Sequence, residues 1–237
     1  MQQEREQAKM RIAIDGPAGA GKSTVAKAVA KKLGFIYVDT GAMYRAMGLY
    51  LMDEKLNFMD MEPLKAALSG VKLDIAYEND VQQVYLNGEN VTSKIRTEAA
   101  GNMASQVSAL LPVREKLVEI QQELGRRANV VMDGRDIGTV VLPDAELKIY
   151  FTASSRVRAE RRYRELVEKG IISTIEEVEA EIVARDYRDM HRKHSPLKQA
   201  EDAILLDTSE MTINDAIQAV IKLAAEKNSE LACRTKQ

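Results

Sequence analysis

Five short apolar runs punctuate the chain, at Met10–Asp15, Phe35–Asp39, Val130–Asp133, Lys148–Thr152 and Ala203–Asp207. Runs that are apolar at successive positions predict strands buried on both faces, and the helical periodicity between them predicts a parallel, doubly wound sheet. The strands end in or just before Asp or Thr. Ligands of such sheets gather outside the carboxyl ends of the strands, so the chemistry is expected along that edge.

Between Val71 and Val91 the pattern changes to strict alternation, with turn signals at Glu78-Asn79-Asp80 and Asn87-Gly88. This predicts a small antiparallel insertion. Helices are predicted over about 93–110 and over 112–127, the second with Pro112 in its first turn. A further pair, about 155–169 and 174–192, is joined by Gly170-Ile171-Ile172-Ser173, a connector short enough for a helical hairpin. A last helix, about 212–227, precedes a polar tail, and no internal repeat is visible.

Gly16-Pro17-Ala18-Gly19-Ala20-Gly21-Lys22-Ser23 matches G-x-x-x-x-G-K-[ST] in full, directly after the first strand and before a helix. Glycines let the backbone turn its N–H groups around phosphates, and the start of the helix adds unpaired donors and a partial positive charge. Lys22 is then expected to reach the β- and γ-phosphates of ATP, Thr24 to complete the binding segment, and Ser23 to hold Mg²⁺ with phosphate oxygens and water. The fold class that follows is α/β. It is a P-loop NTPase-type, doubly wound, five-stranded parallel sheet with helices on both faces, a small antiparallel β insertion and a helical lid.

Arginines cluster where a second phosphate would have to be held. Asp39-Thr40-Gly41-Ala42-Met43-Tyr44-Arg45 follows the second strand and Asp133-Gly134-Arg135-Asp136 follows the third, which brings Arg45, Arg135 and Asp136 to one cleft. Arg185, Arg188, Asp189 and Arg192 fall at offsets 0, 3, 4 and 7, one helical face, and Arg158, Arg161 and Arg162 form a similar cluster on the preceding helix. Charged faces of this kind are usually solvated. The phosphate cradle nearby is what favours a functional role.

Composition narrows the setting. The 237 residues suit one domain, residues 10–227, with 1–9 as a disordered extension and 228–237 as a polar tail. Charged residues make up 30% of the chain but the net charge is −2, so no global field draws it to nucleic acid or membrane. Cys233 is the sole cysteine, which excludes an internal disulfide. With no apolar run near the roughly 18 residues of a membrane span, the expectation is a soluble, cytoplasmic monomer.

The segments GPAGAGKST, DTGAMYRA, ASQVSALLPVRE, DGRDIGTVVLPDA and RDYRDMHR together resemble bacterial cytidylate kinases, over about 10–227. The resemblance implies ATP-dependent phosphorylation of CMP, and of dCMP, by direct in-line transfer. It implies that Arg45, Arg135 and Arg192, with Thr40, bind the acceptor phosphate and that Ser105, Arg114 and Asp136 read cytosine. Arg185 and Asp189 would hold the sugar, and Arg158 and Arg162 would belong to a lid at about 155–175. The insertion, about 60–110, would enlarge the acceptor-binding region.

Two other readings stand beside this one. A kinase for another small acceptor, such as UMP, AMP or shikimate, would share the cradle. A nucleotide-dependent switch would need D-x-x-G or N-K-x-D, and neither occurs. His191 and His194 have the spacing of a metal pair but no third ligand near them in sequence, and are read as solvated. Tyr37, Tyr50 and the methionines Met43, Met47 and Met52 are read as packing.

Overall fold

The computed structural model describes residues 9–55, 58, 60–79 and 81–227. The tail from 228, Cys233, Asp80 of the expected turn and all but Lys9 of the expected extension lie outside the described residues. In chain order, the first elements are β1 (Arg11–Asp15), α1 (Lys22–Leu33), β2 (Ile36–Asp39), α2 (Thr40–Asp53) and α3 (Met61–Gly70). The insertion follows as β3 (Leu73–Glu78), β4 (Val81–Leu86) and β5 (Glu89–Asn90), and then α4 (Glu98–Val107) and α5 (Leu111–Arg127). The chain continues with β6 (Val130–Gly134), β7 (Leu147–Thr152), α6 (Ser155–Glu168), α7 (Ile175–His191), β8 (Ile204–Asp207) and α8 (Ile213–Lys227).

The main sheet has the order β2-β6-β1-β7-β8 and every pair in it is parallel. Alternation along β1 feeds two cores. Ile12 and Ile14 pack with α1 and α8 through Val25, Val29, Ile217 and Val220, while Ala13 turns to the opposite face and joins Met43 and Met47 of α2 and Leu117 of α5. Both faces are therefore covered, as continuous apolar strands require. The register sets Asp39 beside Asp133 and Asp15 beside Gly134, so the loops that follow β1, β2 and β6 leave the sheet side by side. The insertion is antiparallel in the order β3-β4-β5. No helix among the described residues is long and apolar enough to cross a membrane.

Helix ends follow local chemistry. Gly34, at φ 68°, closes α1 with its N–H on the Ala30 and Lys31 carbonyls. Asp39 caps α2 by accepting from Ala42 N–H at 2.8 Å, and Thr174 and Glu177 form a reciprocal capping box at the start of α7.

The structure departs from the sequence expectations in four places. The helix expected over 93–110 is broken into a 3-10 turn, Lys94–Arg96, and α4, because the Thr97 hydroxyl accepts from Ala100 N–H and starts a new helix there. Helix α3 was not anticipated. Neither was the π-helical turn Ile137–Val141. Met43 and Met47 are sealed in the core, but Met52 is 44% exposed, because Leu51 takes the inward position of that turn.

The π-helical turn is anchored by Asp15, whose buried carboxylate accepts from the Ile137 and Gly138 N–H groups at 2.7 Å each. Burial pushes this carboxyl up to about 6, against the opposing pull of those two donors. A folded pKa above the unfolded one means that the group's contribution is fully present below the unfolded value and is lost as pH rises through about 6. Relative to Asp15→Asn, the wild-type chain should lose roughly 2–3 kcal/mol of unfolding free energy between pH 4 and 7. Urea denaturation of both proteins across that range measures it, and a pH-independent difference would contradict the assignment.

Candidate active site

The loop from Gly16 to Gly21 carries three glycines at positive φ, and at two of them the surroundings leave no choice. A Cβ on Gly16 would lie 2.1 Å from the Phe151 carbonyl oxygen, and one on Gly19, at φ 75°, would press on Arg158. Lys22, at the first position of α1, is buried and donates to the Pro17 carbonyl at 2.6 Å, so its ammonium lies folded inside the loop. Burial pushes it well below the ordinary lysine range, with Arg135 adding repulsion and Asp133 opposing. Next to it the Ser23 hydroxyl donates to Asp133 Oδ2 at 2.7 Å, and the Tyr37 hydroxyl donates to Oδ1 at 2.9 Å. Burial, with Asp39 nearby, pushes the Asp133 carboxyl upward. A cavity of about 260 Å³ opens here, lined in part by Ser23, Thr24, Lys27, Tyr37, Arg45 and Arg96.

Across the sheet edge the arginines converge. Arg45 pairs with Asp39 at 3.1 Å and Arg135 Nε with Asp189 Oδ2 at 2.9 Å. Arg185, on α7, is pushed downward by burial and then by Arg135, with Arg45 and Arg188 adding to the effect. It also repels Lys22. Lys22, Arg45, Arg135 and Arg185 thus form one cationic cluster. The Arg185 Nε is buried with no hydrogen-bond partner among the described residues, as is the Arg45 Nε, a costly arrangement unless a ligand oxygen supplies one. Thr40 is turned inward, its hydroxyl on the Asp133 carbonyl at 2.7 Å, where it holds the start of α2 against β6.

Deeper in the cleft Arg114 and Asp136 form a buried ion pair, and Arg192 Nη2 reaches the other Asp136 oxygen at 3.4 Å. Burial pushes the Asp136 carboxyl upward while Arg114 and Arg192 oppose it. Ser195, a non-glycine residue at φ 47°, joins the two arginines: its hydroxyl accepts from Arg114 Nε at 3.2 Å and its carbonyl from Arg192 Nε at 2.6 Å. Ser105 lies on α4, its carbonyl bonded by the Ser108 hydroxyl, and Ser108 in turn accepts from Arg114. Tyr44 underlies this group. Its ring lies 5.7 Å from the Arg114 guanidinium and its buried hydroxyl has no partner among the described residues, with burial pushing it up to about 12.

The two arginines expected in a lid differ. Arg158 is buried against the cradle, on the Ala18 and Ala153 carbonyls and Asp186, whereas Arg162 is exposed and paired with Glu165 at 3.0 Å. Arg161 donates to the Thr208 carbonyl at 2.6 Å. Tyr50 packs as expected and bonds the Ala67 carbonyl, but Tyr37 adds a polar role at Asp133. His191 stacks on Tyr187 with ring centroids 4.0 Å apart. Sequence reasoning missed Asp133, Tyr44, Asp186 and Ser195. Asp133, Tyr44 and Asp186 stood inside motifs named above and could have been found there; Ser195 had no local signal.

A phosphate-binding loop between strand and helix, facing a cationic cluster across one sheet edge, defines a P-loop phosphotransferase. A sequence profile of the cytidylate kinase family matches residues 12–226. The chain belongs to that family. It is 48% identical over 218 residues to the cytidylate kinase of Lactobacillus johnsonii, covering 92% of this chain and 95% of that one. To the cytidylate kinase of Ligilactobacillus salivarius it is 50% identical over 220 residues, covering 93% and 98%. In fold alone it is similar to the crystal structure of an uncharacterized protein from Eubacterium ventriosum, with TM-score 0.51 and 12% identity over 91% of this chain and 98% of that one.

The Arg114–Asp136 pair generates a stability prediction. Arg114→Leu leaves Asp136 buried with Arg192 as its remaining cation, and breaking a buried pair from one side costs about 3–5 kcal/mol. A drop of that size in urea denaturation is expected, and a loss below about 1 kcal/mol would show that the carboxylate finds water or another partner.

Proposed function

We propose that the chain transfers the terminal phosphoryl group of ATP to CMP, and to dCMP, giving the diphosphate by direct in-line displacement. The observation that carries this reading is the cluster of Lys22, Arg45, Arg135 and Arg185 between the cradle and the acceptor cleft, with two buried guanidinium nitrogens left unbonded among the described residues. Like charges packed this way repel one another until an anion enters. Two phosphate groups brought end to end would supply it.

On the donor side the loop amides and Lys22 bind the ATP phosphates, and Lys22 exchanges the Pro17 carbonyl for a phosphate oxygen. Ser23 and Asp133, side by side at the cradle, fit Mg²⁺, which when bound supplies neutralisation of phosphate charge. Ser23 would be its protein ligand. On the acceptor side Arg45, Arg135 and Arg192 orient the phosphate against the donor, which removes most of the entropic barrier to an in-line encounter. Arg185 and Asp189, beside Arg135, hold the sugar.

Asp136 and Arg114 present an acceptor beside a donor, the complement of cytosine's amino group and its neighbouring acceptor atoms, and Ser105 contributes a hydroxyl. Uracil reverses part of that pattern. Each buried group it leaves unpaired costs ~1–3 kcal/mol, so CMP is preferred over UMP by about tenfold or more.

An assay of ADP release with CMP, dCMP, UMP and AMP tests the reading. CMP and dCMP should be phosphorylated, with kcat/KM for UMP about tenfold or more lower. ATP hydrolysis proceeding equally fast with and without CMP would overturn it. Lys22→Ala should lower turnover by about 100-fold or more, with the thermal midpoint little changed, because the lost contact serves the transferring group.

A further inference from the structure

One carboxylate at the cradle has no part in the scheme above. Asp186 lies near the C-terminal end of α7, buried, and its oxygens face two different partners. Oδ1 accepts from the Ala18 backbone N–H at 3.3 Å, and Oδ2 accepts from Arg158 Nη1 at 2.6 Å. The same Nη1 donates to the Ala18 carbonyl at 2.9 Å, and Arg158 Nε donates to the Ala153 carbonyl at 2.9 Å. Asp186 and Arg158 together therefore grip the peptide groups of Ala18 from both sides. The approach is close, since a Cβ on the next residue, Gly19, would stand 3.2 Å from the Arg158 Cβ.

Helix geometry explains the placement. Arg185 and Asp189 are one turn apart and face the acceptor cleft, while Asp186, about 100° further round, faces the cradle with buried Ile182 one turn before it. One helix thus supplies side chains to both halves of the site. Arg158 is fixed through Nε and Nη1, and its Nη2 has no protein partner among the described residues. The side chain that carries this nitrogen packs against the cradle at Ala18 and Gly19.

We propose that Asp186 is a positioning residue for phosphoryl transfer, which holds the Arg158 guanidinium against Ala18 so that it meets the phosphate chain in a fixed orientation. The inference rests on the ATP-dependent kinase reading given above. Without the carboxylate, Arg158 keeps two neutral carbonyl acceptors but loses its only counter-charge, and a guanidinium so placed turns outward to solvent. The effect belongs to turnover, because the acceptor is held by other residues.

A double-mutant cycle tests this. Asp186→Asn should lower kcat by about 10–100-fold while KM for CMP stays within about twofold, and Asp186→Glu should recover part of the loss. If Asp186 acts through Arg158, the double variant Asp186→Asn with Arg158→Ala should be no slower than Arg158→Ala alone, to within about twofold. Losses that multiply in the double variant, or a kcat for Asp186→Asn within about twofold of wild type, would overturn the proposal. Should Asp186→Asn fail to fold, the same cycle with Asp186→Ser as the single change decides by the same criteria. Wild-type turnover of CMP is measured alongside: with that turnover present, multiplying losses sink only the role of Asp186, and with it absent the kinase reading falls and this inference with it.

Discussion

The contact between Arg114 and Asp136 is buried on both sides, and it stands because Arg192 and Ser195 close around the same two groups. Either ion alone at that depth would cost several kcal/mol in lost hydration, so each is tolerated only with the other in place. The same constraint recurs along the whole cleft. Arg135 stands against Asp189, Arg158 against Asp186 and Arg45 against Asp39. Strands β2 and β6 carry carboxylates in register near their ends, the loops after them carry arginines, and α7 lies across the opening with Asp186, Asp189 and Arg185 within one turn. The architecture of the cleft keeps many charges out of water, most of them in pairs.

Such pairs add little to stability compared with apolar side chains of the same shape. Their value here lies in what a ligand can replace. A carboxylate that accepts from arginine occupies the same donors a phosphate would use, so binding exchanges one anion for another at a site whose geometry is already set. Lys22 and Arg185 are the exceptions. Both are pushed toward their neutral forms by burial and by neighbouring cations, so an anion entering beside them relieves the most repulsion. A chain with a net charge of −2 can therefore hold a strongly cationic cleft, because the excess is local.

Much of this frame was legible in the chain. Strands buried on both faces have an apolar pattern that little else produces, and all five of the expected runs are strands of the one parallel sheet. The cradle was legible because its chemistry is contiguous, loop and helix start within eight residues. The break at Thr97 was not, since a single hydroxyl decides it within an otherwise helical pattern. Asp186 was hidden for a different reason. Among Arg185, Arg188 and Asp189 it reads as one more charge on a solvated face, and its partner Arg158 is 28 positions away on another helix. Pairings of that kind, including Arg135 with Asp189 across 54 positions, exist only once the sheet has set the helices in place.

The insertion shows how the edge of a sheet of this kind is covered without another strand. Strand β2 lies at the edge of the main sheet, with one row of backbone groups unpaired by any strand. Side chains of the insertion take up that row: the Tyr77 hydroxyl donates to the Tyr37 carbonyl at 2.8 Å, while Gln82 accepts from the Asp39 N–H at 2.8 Å and donates to its carbonyl at 3.3 Å. An edge strand left bare would invite another chain to pair with it, and a further strand docked there would close off the side of the cleft beside Arg45. Two side chains satisfy the same backbone groups at fewer points. They leave room for the cavity between Tyr37, Arg45 and Arg96, and they tie the insertion to Asp39, the residue that both caps α2 and pairs with Arg45. The insertion is thereby tied to the residue that positions that arginine, since Asp39 and Tyr37 are both points at which the two sheets are joined.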